Sequence, residues 1–129
     1  MKPVRHASAA VPAASRDAVL TKAVLRSAAL LGLNGAALAR VIGTSEATVS
    51  RIANGEKTLE GGTKPAELAA LLVRAYRSLD AVVGNSDEQR RAWMGSFNRG
   101  LNAVPKEAIL TAEGLVRVVT YLDAARAPV

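Results

Sequence analysis

Apolar residues recur at helical intervals along almost the whole chain. Leu20, Val24, Ala28 and Leu31 fall on one face of a first helix, with Ser15 placed to cap its start and Gly32 to end it. Asn34 then caps a short helix over residues 36–42, and Gly43 can take the left-handed conformation that stops it abruptly. Thr44 or Ser45 caps the next helix, whose apolar positions Val49 and Ile52 lie three apart, and Asn54-Gly55 closes it. Residues 56–64, with Gly61-Gly62, read as a linker between two subdomains. Pro65 opens a long helix carrying Leu68, Leu71, Leu72, Ala75, Leu79, Val82 and Val83, which Gly84-Asn85 ends. Ser86 with Gln89 forms a capping box for a further helix, on which Trp93, Met94, Phe97 and Leu101 share one side. Pro105 starts a short segment ending near Leu110. Thr111 caps a last helix with Glu113 near its positive end and Leu115, Val118, Val119 and Leu122 on one face. No strand and no internal repeat emerge, so the expected fold is all-α.

Composition narrows this picture. A length of 129 residues suits one compact domain or two small ones. Half the residues are hydrophobic but only 3% are aromatic, which favours closely packed helices rich in Ala, Leu and Val. Residues 1–15 are rich in Ala, Ser and Pro without periodicity, which predicts a disordered basic arm. The net charge of +6 and pI near 10.3 favour a polyanion. Residues 1–60 hold eight basic and four acidic side chains, against nine and seven in residues 61–129, so the excess leans toward the first half.

Several classes are excluded. With no Cys there is no disulfide framework, thiolate zinc site or Cys nucleophile, which fits a reducing cytoplasm. The longest apolar stretch, near residues 28–39, is broken by Asn34 and falls short of the ~20 residues needed to span a bilayer. The first residues intersperse basic side chains with Pro and Ser instead of building a signal-peptide core, so a cytoplasmic protein without membrane contact is expected. The single His6 lies in the arm, no glycine-rich phosphate loop follows a strand, and Asp87-Glu88 read as helix-start charges. No catalysis, cofactor or metal is expected.

One spacing is diagnostic: small Ala39, Gly43 four later, Val49 six after that, and Ile52 three more. Ala39 lets two helices cross closely, Gly43 makes the turn, and Val49 with Ile52 packs the second helix onto the first, with Leu38 and Ile42 completing the small core. The stretch LNGAALARVIGTSEATVSRIANGEKTL resembles the Xre, or lambda-repressor-like, helix-turn-helix family. That resemblance implies that the second helix enters the major groove of duplex DNA, with Ser45, Glu46, Ala47, Thr48 and Arg51 as candidates for reading bases. Thr44, Ser50, Asn54 and Lys57 are better placed for phosphates. The plainer alternative is an αα-hairpin that only packs, with Arg51 solvated or on a phosphate.

The rest of the chain, LLVRAYRSLDAVVG followed by RAWMGSFNRGLNAVPKEAILTAEGLVRVVTYLDAAR, resembles the toxin-binding domain of the Xre/MbcA/ParS antitoxin family. The matching positions are Trp93, Met94 in the usual Leu place, Asn98, Leu101, Pro105, Leu110, Gly114, Val118, Tyr121 and Leu122. Trp93, Leu101 and Leu110 are expected to form a small core under the last helix, which Gly114 lets approach its neighbour. Two departures stand out: Asn102-Ala103-Val104 where a Gly pair is usual, and Phe97 where Pro is common. Trp93 and Phe97 are expected in the core, leaving Arg90, Arg91 and Arg99 as a basic face that is either solvated or meets an acidic partner.

Together the resemblances imply the antitoxin of a type II toxin-antitoxin pair whose RES-domain toxin consumes NAD or transfers ADP-ribose, acting also as repressor of its own operon. The implied organisation is a DNA-binding domain over residues 16–60 and a helical dimerisation and toxin-binding domain over residues 61–129. A homodimer on operator DNA is expected, joined through the helix over residues 65–83. The last helix and tail, with Tyr121, Asp123, Arg126 and the Val129 carboxylate, are expected to close the toxin's active site, the plainer alternative being that Asp123 and Arg126 are ordinary solvated helix-end charges. The rival is a stand-alone regulator whose C-terminal helices dimerise or bind a small ligand.

Overall fold

The computed structural model describes residues 12–127, and among them there are seven helices and no strand. These are α1 (Ala13–Leu30), α2 (Gly35–Ile42), α3 (Glu46–Ala53), α4 (Lys64–Val83), α5 (Asp87–Gly95), α6 (Pro105–Ala108) and α7 (Ala112–Arg126). The helix starts follow the capping chemistry read from the sequence. The side chains of Asn34, Ser45, Ser86 and Thr111 each accept the backbone N–H three residues on. Gly43, with φ +72°, and Gly84, with φ +68°, end α2 and α4 in the left-handed conformation.

The start of α1 differs from expectation. The helix begins at Ala13 behind Pro12 with no side-chain cap, so Ser15 lies within its first turn and residues 13–15 are helical. Proline's fixed φ suits it to a helix entrance without a hydroxyl acceptor. Residues 1–11 of the expected arm lie outside the described residues.

Helix α4 is the centre of the structure, packed against α1, α2 and α7, and α2 also touches α7. Its buried face alternates Leu72, Val73 and Leu79 with the small Ala66, Ala69, Ala75 and Ser78, so neighbouring helices approach closely where the side chains are short. The stretch between α3 and α4 is docked onto α1. Leu59 is buried and its N–H donates to the Thr21 hydroxyl at 2.9 Å, which in turn donates to the Asp17 carbonyl at 2.7 Å. The Gly61 N–H reaches the Asp17 carboxylate at 3.1 Å.

The second half carries a correction. Helix α5 stops at Gly95, with Ser96 extended, so Phe97 does not share its apolar face and is 60% exposed. The chain then closes a loop in which Asn98 and Ala103 exchange backbone hydrogen bonds of 2.8 and 3.3 Å, and Leu101 turns inward to burial. Asn102 adopts φ +54° there, the conformation the family's usual glycine would take most easily and which Asn tolerates better than other side chains. Trp93 and Leu110 are half-buried against the core.

Gly114 is buried in the first turn of α7, where a Cβ would run into the carbonyl oxygen of Ala108. Glycine inside a helix ordinarily destabilises it relative to alanine, but here close approach reverses the sign. Gly114→Ala is expected to lower stability by about 1–3 kcal/mol through overpacking. Gly95→Ala, with nothing near its missing Cβ, is expected to be neutral or slightly stabilising. Urea midpoints for the two variants, moving in opposite directions or with only Gly114→Ala falling, check this placement.

Candidate functional sites

The first candidate surface is the exposed side of α3. Ser45 caps the helix, accepting the Thr48 N–H at 3.1 Å, and its hydroxyl lies 3.0 Å from the Thr48 hydroxyl, to which the Arg51 guanidinium also donates at 3.4 Å. These three side chains therefore brace one another along one edge of α3, from its cap at the positive end of the helix dipole to Arg51 in its last turn. Glu46, Ala47, Ser50 and Arg51 are exposed, whereas Val49 and Ile52 face the core. The face offers hydroxyl and guanidinium donors, with the Glu46 carboxylate as acceptor, all suited to the edges of base pairs.

The structure brings Thr44, Thr48 and Lys57 together along a cleft of about 210 Å³, with Thr58 and Thr63 beside them. Asn54 ends α3, and its side-chain amide donates to Glu56 at 3.3 Å. Thr44, Ser50, Asn54 and Lys57 thus flank the α3 edge, in keeping with contacts to a backbone instead of base edges.

The second candidate surface departs more from expectation. Arg90, expected on an open basic face, is 1% exposed. It stands one turn before Met94 on the inward side of α5, so its guanidinium turns toward α4. Its Nε and Nη2 donate to Asp80 at 3.0 and 2.7 Å, its Nη1 donates to Asp87 at 2.5 Å, and its head lies 5.5 Å from the centre of the Tyr76 ring. The hydrogen bond to Asp87 raises the Arg90 pKa against the opposing effect of burial, with Asp80 adding to it. The same bond holds the Asp87 carboxyl below its usual range. Burial, aided by Asp80, pushes the Tyr76 hydroxyl up.

Arg91 and Arg99 are exposed as expected. Tyr121 is half-buried, tilted against Trp93 with ring centres 6.3 Å apart, and fills the space where Gly100 has no Cβ. Asp123 is not a free helix-end charge: it pairs with Arg74 at 2.5 Å and accepts from the buried Ser78 hydroxyl at 2.9 Å. Arg126 donates to the same Ser78 oxygen at 3.1 Å. Burial pushes the Asp123 carboxyl up, but the Ser78 hydroxyl and Arg74 together outweigh it and hold the group below its usual range. Val129 lies outside the described residues. No group of three or more His, Cys, Asp or Glu able to hold a metal occurs among the described residues.

Arg74, Ser78, Asp80 and Gly100 were missed as organisers of this half. Only Ser78 left a local trace, a hydroxyl amid the apolar positions of a long helix. The burial of Arg90 has a direct consequence. Arg90→Ala strands the Asp80 carboxylate, 19% exposed, beside α5, and a loss near 3 kcal/mol is expected, the lower end for breaking a buried pair because Asp87 is well solvated. Arg91→Ala is expected to stay within about 0.5 kcal/mol of the parent. Equal denaturation midpoints for the two variants would refute the buried arrangement.

Comparison with known proteins agrees with this geometry. No curated protein matches the chain. The family model for the antitoxin Xre-like helix-turn-helix domain matches residues 10–74, half of the chain, and the model for the antitoxin Xre/MbcA/ParS C-terminal toxin-binding domain matches residues 78–127. Among the described residues no helix is long and apolar enough to cross a membrane. A helix-turn-helix that carries α3, followed by a toxin-binding domain built on α5 to α7, places this chain in the Xre-like helix-turn-helix antitoxin family, as an antitoxin whose partners are DNA and a toxin.

Proposed function

We propose that this antitoxin neutralises a RES-domain toxin that consumes NAD or transfers ADP-ribose, and that as a homodimer it represses the operon encoding both. The observation that carries the reading is the pairing of a helix-turn-helix domain and a toxin-binding domain in one chain, on different helices. The candidate DNA-reading side chains lie on and beside α3, whereas the matched toxin-binding residues lie on α5 to α7 and the end of α4. The two surfaces can be occupied together, as an antitoxin that is also an autorepressor requires.

On DNA, Ser45, Glu46, Ala47, Thr48 and Arg51 read base edges while Thr44, Ser50, Asn54 and Lys57 hold phosphates. One recognition helix reads one half-site, so two chains related by a two-fold axis match a palindromic operator with half-sites about one helical turn apart. Residues 16–60 serve DNA binding and residues 61–129 serve dimerisation and toxin binding. The protein works in the cytoplasm and performs no chemistry of its own. Arg91, Arg99 and Tyr121 contribute to toxin binding, and the end of α7 with the tail to Val129 closes the toxin's active site. Arg126 and Asp123 exchange their Ser78 and Arg74 partners for groups of the toxin.

Co-expression with a RES-domain protein encoded beside this chain tests the reading: growth and cellular NAD are expected to recover. Without recovery, a stand-alone regulator becomes the better account. Replacing Thr48 and Arg51 together by Ala is expected to weaken operator binding about tenfold or more while rescue persists, since a good base contact contributes about 1–3 kcal/mol. Loss of both activities would make α3 structural only. Deleting residues 124–129 keeps Leu115, Val118, Val119 and Leu122, and is expected to abolish neutralisation with the fold retained. Full inhibition by the shortened protein would remove the tail from the mechanism.

A further inference from the structure

Phe97 is the single phenylalanine of the chain, and it is left 60% exposed at a point where the backbone is firmly held. The loop that follows is closed by the paired backbone hydrogen bonds of Asn98 and Ala103, and the Asn98 side chain also accepts the Leu101 N–H at 3.0 Å. Gly100 lies flat against Tyr121 with no room for a Cβ. Arg117 of α7 donates to the Leu101 carbonyl, tying helix to loop. Between them lies an open cleft of about 280 Å³ lined by Gly100, Leu101, Val116, Arg117, Thr120 and Tyr121. Val116 is itself 48% exposed. On α7, Val116 and Thr120, four residues apart, are exposed on the side away from the buried Leu115, Val118, Val119 and Leu122, while Tyr121 is half-buried against Trp93.

From these observations we infer that the loop of residues 97–103 and the outer face of α7 form the primary docking surface for the toxin, with Phe97 and Val116 as its apolar anchors. The inference rests on the proposed function for the toxin's identity. The occupant is a protein face presenting a pocket for an aromatic ring with carboxylates around it. Both anchors fall inside the toxin-binding match, and the exposed charges beside them are the basic Arg99 and Arg117, with the acidic Glu113 one turn before Val116. A large aromatic side chain on a preorganised loop loses little freedom on binding, the property of residues that dominate interface energetics. Gly100 and Leu101 of the loop meet Val116, Arg117 and Tyr121 of α7 around the cleft, so the loop that carries Phe97 and the helix that carries Val116 are joined in one surface. Phe97 therefore supplies an exposed aromatic ring to this surface and contributes to the choice of partner.

The test uses the full chain and the purified RES-domain toxin encoded beside it, with binding measured by calorimetry. Phe97→Ala is expected to lower affinity by at least about tenfold, a drop that hot-spot aromatics exceed, while helical content and operator binding stay as in the parent. Val116→Glu, placing a charge in the same patch, is expected to do the same. Val19→Ala, an equally exposed apolar position on α1 outside the toxin-binding match, is expected to change nothing. Should Phe97→Ala fail to fold, Val116→Glu decides between the outcomes. If the parent binds the toxin and a folded anchor variant binds within about twofold of it, this docking surface is wrong although the proposed function stands. If the parent does not bind the RES-domain protein, the proposed function falls and the inference with it.

Discussion

The structure depends on how closely other helices can approach α4. In a protein with so few aromatic side chains, burial must come from many short contacts, and α4 supplies them by setting Ala66, Ala69, Ala75 and Ser78 among its larger apolar residues. Twenty residues of helix span roughly 30 Å, enough for α1, α2 and α7 all to pack along it. A substitution that enlarges any of these small positions would push apart helices that belong to both matched regions. The two candidate surfaces are accordingly built on one continuous hydrophobic core.

The sequence was most readable where structure is decided within four residues. The caps at Asn34, Ser45, Ser86 and Thr111 and the terminators Gly43 and Gly84 satisfy or release backbone groups of their own helix, so residue type and spacing suffice. The close approach at Gly114 was equally legible because a glycine at the start of an apolar helix has few other uses. The α3 face was legible for the same reason, since helical spacing separates Val49 and Ile52 from the outward side chains.

Features set by distant partners were not legible. Nothing near Arg90 announces that Asp80, ten residues earlier on another helix, will accept two of its hydrogen bonds. A run of Arg90 and Arg91 looks like a solvated face, and the packing of the Arg90–Met94 side of α5 against its neighbours divides it into a buried cation and an exposed one. Asp123 resembled a helix-end charge because Ser78 and Arg74, which hold it, lie more than forty residues away in sequence. Phe97 followed the same logic in reverse. Its type predicts burial, but α5 ends two residues too early to carry it inward, and the closed loop sends Leu101 to the core in its place.

The stretch between α3 and α4 contributes to the cleft beside α3 but is held in place by α1. Lys57 lines the same cleft as Thr44 and Thr48, yet its backbone belongs to a segment without regular structure, which by itself would wander. Two residues later Leu59 is buried and its N–H is held by Thr21, while the Gly61 N–H is held by Asp17. Buried hydrogen bonds of this kind are costly to leave unmade, so the segment follows α1 wherever α1 goes. The position of a cation suited to a phosphate is thereby set by a hydroxyl and a carboxylate on a helix with no part in reading bases. Because α1 also packs on α4, the spacing between Lys57 and the α3 edge is fixed by the same core that supports α7.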